Sequence, residues 1–446
     1  MTDKVNKIRI ISILLMFLAT AVPLYSYADE TITLEQAIDI ALKKNPNLTA
    51  SRSDVDAALA RVTQSTASYY PQVSASAGYD HSRDYIDGDS SSSGTSDGRD
   101  YYSTGISVSQ LIYDFGKTPA QVESSSQTLE SSKKSLKADE KTLVENVKES
   151  YFEALKNQQL VNVKKESLEV LKKHLEQARA LYKEGMRPKI DVTRGEVEVS
   201  QAELQLLSAG YTWRRALMSL EKLLGGAPES GTYLLAEVNP TFQAIPELKS
   251  LVDMAVDRRP ELKALKAQAN AAEAEAEYTK KSAYPSLSAK GSYSYYTDDS
   301  PLDEDLNHSW QVGLSVNWPL FTGFRQTGQV AESKANIRRM NALYENQVLS
   351  IIEEVKKAYL SVKEAEETIK TAETALRQAG ENLEMAEGRY QTGVSDSIEL
   401  SDAQVLYTES KSSLVQAVYD HHKSLAGLEF AVGGDWAQED TNIKDN

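Results

Sequence analysis

Residue types able to make or break bonds are sparse in this 446-residue chain, and none is spaced for the task. There are no cysteines, which removes disulfides, thiolate metal sites and a lipid-modified cysteine anchor. Five histidines include the adjacent pair His421-His422. Neighbouring side chains on a helix point in different directions, so the pair is expected at solvated or interfacial positions rather than on one metal. No Ser/His/Asp set, phosphate-cradling loop or metal-ligand spacing stands out. No catalytic residue, metal or cofactor is therefore assigned, and the chain reads as a non-enzyme. Carboxylates are the patterned group: they follow two turns of the form Tyr-x-x-Gly, Tyr182-Lys183-Glu184-Gly185 and Tyr390-Gln391-Thr392-Gly393. Asp191 comes after Pro188 near a helix start, where a negative charge favours the helix dipole. Asp396-Ser397-Ile398-Glu399 has the spacing of a capping box, so Glu399 could bond its own helix start. Asp402, just beyond, is either a solvated surface acid or a carboxylate with a role beyond its own helix.

The two turns are copies of each other, because the whole chain is written twice. A shift of 208 positions carries Gly105, Val147, Tyr151, Tyr182, Gly185, Leu220, Gly225 and Gly226 onto Gly313, Val355, Tyr359, Tyr390, Gly393, Leu428, Gly433 and Gly434. Upstream, a shift of 214 carries Asp39, Pro46, Leu48, Tyr70 and Pro71 onto Asp253, Pro260, Leu262, Tyr284 and Pro285. The difference lies between residues 80 and 104, in a loop rich in serine and glycine from Asp87 to Gly98, which reads as a solvated tip. Most internal repeats have periods of about 20 to 50 residues; one this long duplicates an entire structural unit. The organisation is thus 1–28 signal, 29–226 first copy, 227–247 linker, 248–434 second copy and 435–446 polar tail.

Each copy has the same plan. A helix from Thr33 to about Ala67 opens with a Thr33/Gln36 capping pair and is interrupted at Asn45-Pro46, since the residue before proline avoids the α region. Its counterpart runs from Leu248 to about Ser282 and breaks at Arg259-Pro260. After Pro71 the period becomes two: Val73, Ala75, Ala77 and Tyr79 alternate with serines, glycine and Asp80, and Tyr102, Thr104, Ile106 and Val108 do likewise. In the second copy, Leu287 to Tyr295 and Trp310 to Trp318 repeat the pattern. A water-soluble sandwich would also alternate. Short apolar faces with aromatic ends, set against a small serine-rich face, fit a lipid-facing barrel with a wet lumen. From about residue 118 to Glu184 apolar residues return at helical spacing, with Val122, Leu129, Leu136 and Leu143 seven apart. Such a helix is roughly 100 Å long. Beyond the turn, a helix from about 189 to 224 runs back; with the segmented helix it matches the long one in length.

Residues 1–28 have the form of an export signal: Lys4, Lys7 and Arg9, an apolar run to Leu24, then Ser26-Tyr27-Ala28. A retained membrane anchor is the alternative, and the run is short for a span. The formal charge is −16, so nucleic acid is not an expected partner. Four strands cannot close a barrel, since the smallest membrane barrels use about eight, and open edges cannot sit in lipid. Strands must be pooled between copies of the chain. A trimer would give twelve strands and twelve helical columns; a dimer is the other possibility.

Taken in order, Thr33-Leu34-Glu35-Gln36-Ala37 through Asn45-Pro46, Tyr70-Pro71, Leu111-Ile112-Tyr113-Asp114-Phe115-Gly116-Lys117, the Tyr-x-x-Gly turns, and Leu224-Gly225-Gly226 with Val432-Gly433-Gly434 resemble the TolC-like outer membrane efflux protein family. The resemblance covers nearly all of the chain after the signal. It implies a mainly α protein with a transmembrane β-barrel part: a trimeric α-helical barrel continued by a 12-stranded barrel, four strands per chain, in two structural repeats. It further implies an outer-membrane exit duct reaching into the periplasm. The expected partners are a homotrimer, outer-membrane lipid, a periplasmic adaptor protein and an inner-membrane pump or secretion transporter. By position, Asp191, Glu399 and Asp402 match carboxylates that ring the periplasmic aperture, Tyr390 matches a tyrosine holding the closed state, and Gly185 and Gly393 mark the turns an adaptor contacts. The arginine often found two residues after the second turn glycine is replaced by Ser395, which leaves Arg389, Arg187 and Lys189 as substitutes. Like charges around an aperture raise one another's pKa and attract cations, so divalent cations are expected to block it. A passive porin and a soluble periplasmic coiled-coil scaffold are the competing functions.

Overall fold

The computed structural model describes residues 31–82, 99–226, 234–238, 244–297 and 307–436. The export signal expected at 1–28, the loop from Asp87 to Gly98 and the tail from 437 onward lie outside those residues. In the first copy β1 (Thr31–Ile32) leads into α1 (Leu34–Lys44) and α2 (Pro46–Thr66), then β2 (Gln72–Ser82), β3 (Arg99–Tyr113), α3 (Lys117–Lys183) and α4 (Lys189–Leu223). β4 (Leu234–Leu235) falls in the linker. The second copy contains α5 (Leu248–Arg258), α6 (Pro260–Lys281), β5 (Ser286–Thr297), β6 (Asn307–Asn317), α7 (Arg325–Gln391) and α8 (Ser397–Val432).

Local chemistry explains these boundaries. The Thr33 N–H donates to Gln36 Oε1 at 2.9 Å and the Gln36 N–H to Thr33 Oγ1 at 3.3 Å, a reciprocal cap at the start of α1. Asn45 and Arg259, each before a proline, are extended, with ψ of 124° and 119°. At the end of β3, Asp114 accepts from the Gly116 and Thr118 N–H groups at 3.1 and 2.7 Å, which turns the strand into α3. α3 and α7 both span 67 residues, so each is roughly 100 Å long. No helix among the described residues is long and apolar enough to cross a membrane.

The chain divides into two compact units, each drawing on both copies of the repeat. The unit formed by the described residues of 45–145, 242–368 and 423–446 contains an antiparallel sheet in the order β2-β3-β5-β6. Register sets its faces. Val73, Val108, Gly291 and Val312 share one row, as do Ala75, Ile106, Tyr293 and Trp310; Ser74, Ser107, Ser292 and Gln311 lie on the other face. Trp310, Val312, Leu314 and Val316 are 69–76% exposed, an uncovered apolar stripe. β2 and β6 are edges with no partner strand among the described residues. The core of this unit packs Leu251, Ala255 and Leu262 against Ile351, Val355, Val362 and Leu428. Of the seven-residue positions, Leu143 and Ile351 are buried, whereas Val122, Leu129 and Leu136 are half-exposed. Arg259 is buried at the break before α6, with ion pairs to Glu261 and Glu354 at 3.0 and 3.1 Å. It also donates to the Phe430 and Ala431 carbonyls that end α8.

In the unit formed by the described residues of 1–44, 146–241 and 369–422, β1 and β4 form a short parallel pair that spacing did not announce. The buried Tyr151 hydroxyl bonds the Ile32 and Ala236 carbonyls at 2.8 and 2.9 Å, and burial pushes its pKa up to about 12. The histidine pair departs from the solvated or interfacial position expected of it: His421 and His422 are 1% and 5% exposed. His422 stacks on Phe152 with centroids 5.0 Å apart. Burial, then the neighbouring His421, holds its pKa below the usual value. A neutral imidazole serves here as a flat ring in the core.

Candidate functional site

The two Tyr-x-x-Gly turns and the starts of the returning helices lie within this second unit. α3 ends in a left-handed glycine, Gly185, with φ of 72°. The Gly185 N–H bonds Tyr182 O at 3.0 Å and the Met186 N–H bonds Leu181 O at 2.9 Å. α7 ends the same way: Gly393 has φ of 77°, and the Gly393 and Val394 N–H groups bond Tyr390 O and Arg389 O. This double bond satisfies carbonyls a helix end would leave open, and a side chain at either glycine would be strained.

Beyond the turns the chemistry of the two copies diverges. α4 starts after Pro188, which has no side-chain hydrogen bond to offer. α8 starts after Asp396, whose carboxylate accepts from the Ile398 and Glu399 N–H groups at 3.1 Å each. Glu399 does not return to that helix start as capping-box spacing suggested. Its carboxylate instead pairs with Arg389 at 3.2 Å and accepts from the Ser395 hydroxyl. The cap is satisfied by Asp396 alone, which frees Glu399 to reach the end of α7.

Tyr390 is 4% exposed and packs with Ala386, Leu400 and Ala403, with Leu181 and Leu383 against them. The Arg187 guanidinium lies over its ring, 4.8 Å from the centroid, and donates to Tyr390 O and Ser395 O at 3.3 and 2.8 Å. Burial raises the Tyr390 pKa, and the Asp191 charge adds to it while Arg187 opposes. Asp191 accepts from the Ser397 hydroxyl at 3.0 Å. Asp191, Tyr390 and Glu399 are thus tied into one network that spans both copies. Asp402 stands apart, exposed and without an ion pair among the described residues. A cleft of about 370 Å³ beside Tyr390 is lined by His174, Glu387 and Leu400 among others. His174 lies 3.7 Å from Glu387, and burial lowers its pKa against the pull of that carboxylate.

Of the three candidate substitutes for the missing arginine, Arg389 and Arg187 are engaged and Lys189 is exposed. Ser397 and His174 were not singled out by spacing, and Ser395 was noted only as filling the place of that arginine. The repeat does hold a signal for one of them: Ser395 is the 208-shifted counterpart of Arg187, and these equivalent positions touch. The arrangement gathers hydroxyls, carboxylates and guanidinium groups at the two turns, and its carboxylates can attract cations.

A family model described as "Outer membrane efflux protein" matches residues 37–226 and 251–434. Protein CyaE of Bordetella pertussis is 24% identical over 377 residues, covering 84% of this chain and 78% of its own length. Outer membrane protein TolC of Escherichia coli is 20% identical over 430 residues, covering 92% of this chain and 84% of its own. Among solved structures, the CmeC outer membrane channel of Campylobacter jejuni superposes with a TM-score of 0.79 at 18% identity, covering 92% of this chain and 90% of that one.

Proposed function

The chain belongs to the outer membrane efflux protein family, and from that premise we propose that three copies form the exit duct of a tripartite efflux or type I secretion system. It is an outer-membrane channel, and the family is one of channels rather than enzymes. The observation that carries the trimeric duct is the four-stranded sheet with two open edges. Its strands alternate in direction, so β6 of one copy meets β2 of the next antiparallel, and repetition around an axis closes a barrel without an edge. Lipid then covers the apolar stripe and the serine face lines water.

Asp191, Glu399 and Asp402 are assigned to the periplasmic gate. Tyr390, Arg187 and Arg389 hold each tip closed, and the turns at Gly185 and Gly393 meet a periplasmic adaptor joined to an inner-membrane transporter. Support comes from the network that joins the two turns and from the exposure of the turn residues. Cysteines placed in the cysteine-free turns, crosslinked in whole cells, test the assignment. Capture of an adaptor and a trimeric band in outer-membrane fractions is expected. A soluble periplasmic protein would overturn the reading. So would small-solute uptake that needs no inner-membrane partner, the signature of a passive porin.

A further inference from the structure

On the serine face of the sheet, Lys290 is a charge whose neighbouring rows are neutral. Direct pairing puts Gln72, Ser109, Lys290 and Gly313 in one row across β2, β3, β5 and β6. The next rows outward are Ser74, Ser107, Ser292 and Gln311, then Ser76, Gly105, Ser294 and Ser309. On the inner side lie Leu111, Ser288 and Ser315. Within this stretch serine hydroxyls bond one another, Ser74 with Ser107 at 2.8 Å and Ser294 with Ser309 at 2.9 Å. Lys290 is exposed and has no ion pair or hydrogen bond among the described residues. The carboxylate of Asp80 is on the same face of β2 but roughly 27 Å farther along the strand direction. That is well beyond a screening length of about 8 Å. The equivalent position in the first copy is Ser76, so a trimer holds three such lysines rather than six.

We propose that Lys290 is a specificity-determining residue of the duct: in the closed barrel its three copies form a cationic ring that favours polyanionic solutes. The inference rests on the trimeric duct reading. Like charges facing one another across a lumen repel, and an anion carrying several phosphate, sulfate or carboxylate groups relieves that repulsion by meeting more than one of them. Lysine rings give pores anion preference by this means. The serine hydroxyls beside it supply donors to the same oxygens while leaving neutral solutes free to pass.

Full-length protein reconstituted in planar bilayers, with inorganic tripolyphosphate added on the outer side, tests the proposal. The wild-type current is expected to be blocked. Lys290→Gln is expected to raise the half-blocking concentration at least about tenfold, and Lys290→Arg to retain the block. In a potassium chloride gradient the reversal potential of Lys290→Gln is expected to shift toward cation preference. Open Lys290→Gln channels with unchanged block and unchanged reversal potential would overturn the assignment and leave the duct intact. A wild-type protein that forms no channel would overturn the duct reading, and the assignment with it.

Discussion

The two turns of this molecule have one backbone and opposite chemistry. Gly185 and Gly393 end their helices with matching left-handed conformations and equivalent pairs of hydrogen bonds. After them the first copy continues Met186-Arg187-Pro188-Lys189 and the second Val394-Ser395-Asp396-Ser397. The basic side reaches across to the carbonyls of the acidic one through Arg187, and Ser397 reaches back to Asp191. Duplication therefore preserved what a helix end demands of the backbone. The charges were free to diverge, and they diverged into complementarity. The breaks before the two prolines tell the same story. Asn45 caps its own helix by accepting from the Asn47 and Leu48 N–H groups. Arg259 at the equivalent position is buried against the end of α8.

The largest effect should come from the second of these contrasts. Arg259→Met removes a buried guanidinium from two carboxylates, two carbonyls and the Phe430 ring, whose centroid is 4.7 Å away. The loss is expected to be about 3 kcal/mol, at the lower end for a broken buried pair because Glu354 is partly solvated. Asn45→Ala removes a helix cap and should lose about 1 kcal/mol. Thermal or urea unfolding of the detergent-solubilised proteins measures both. Equal losses would mean that the two breaks do not differ in the role given them here.

At the turns, Arg187→Ala deletes two hydrogen bonds to carbonyls and the cover over Tyr390, a change of about 1–2 kcal/mol. Arg389→Ala deletes an exposed pair with Glu399, which is worth about 0–1 kcal/mol after solvent screening. Arg187→Ala should therefore raise the fraction of open channels more than Arg389→Ala does. Single-channel recording gives the order directly, and the reverse order would move the closing contact to Glu399.

How much of this was legible in the sequence depends on the kind of interaction. Helix breaks, left-handed glycines and strand faces follow from local sterics and period, so Pro46, Gly185 and Val73 to Tyr79 declare themselves. The partner of a polar side chain does not, because it is set by packing between segments distant in sequence. Glu399 had ideal spacing for its own helix start, yet Asp396 took that role and Arg389 took Glu399. The buried histidines hide for the same reason: nothing local marks Phe152 as the ring beneath His422. Lys290 shows the converse. Its face was readable from alternation, but its isolation emerged only when the register of all four strands was known.

A smaller effect is expected where the acidic copy meets solvent. If Glu399 and Asp402 bind divalent cations at the gate, millimolar divalent salt added on the periplasmic side should reduce the current of the wild type. Glu399→Ala/Asp402→Ala should lose that sensitivity, whereas Asp191→Ala, tied to Ser397, should keep part of it. Unchanged block in the double variant would remove the second copy from the gate.

The smallest effect concerns the helix core. His422 is held neutral by burial beside Phe152, Tyr419 and His421, with the Lys156–Asp420 pair, 3.7 Å apart, on the same helices. Its folded pKa is lowered, so the unfolded chain binds the extra proton first as pH falls. The stabilising contribution is fully present above the unfolded value near 6.5 and declines as pH drops below it. His422→Phe keeps a ring for Phe152 to stack on and removes the proton site. Its stability should therefore fall less steeply than the wild type's between about pH 6.5 and 5. The first copy has Arg214 at the equivalent position, with its guanidinium over the Tyr211 ring at 5.6 Å. If His422→Phe left the acid limb of the stability curve unchanged, the acid sensitivity would belong to carboxylates that both copies share.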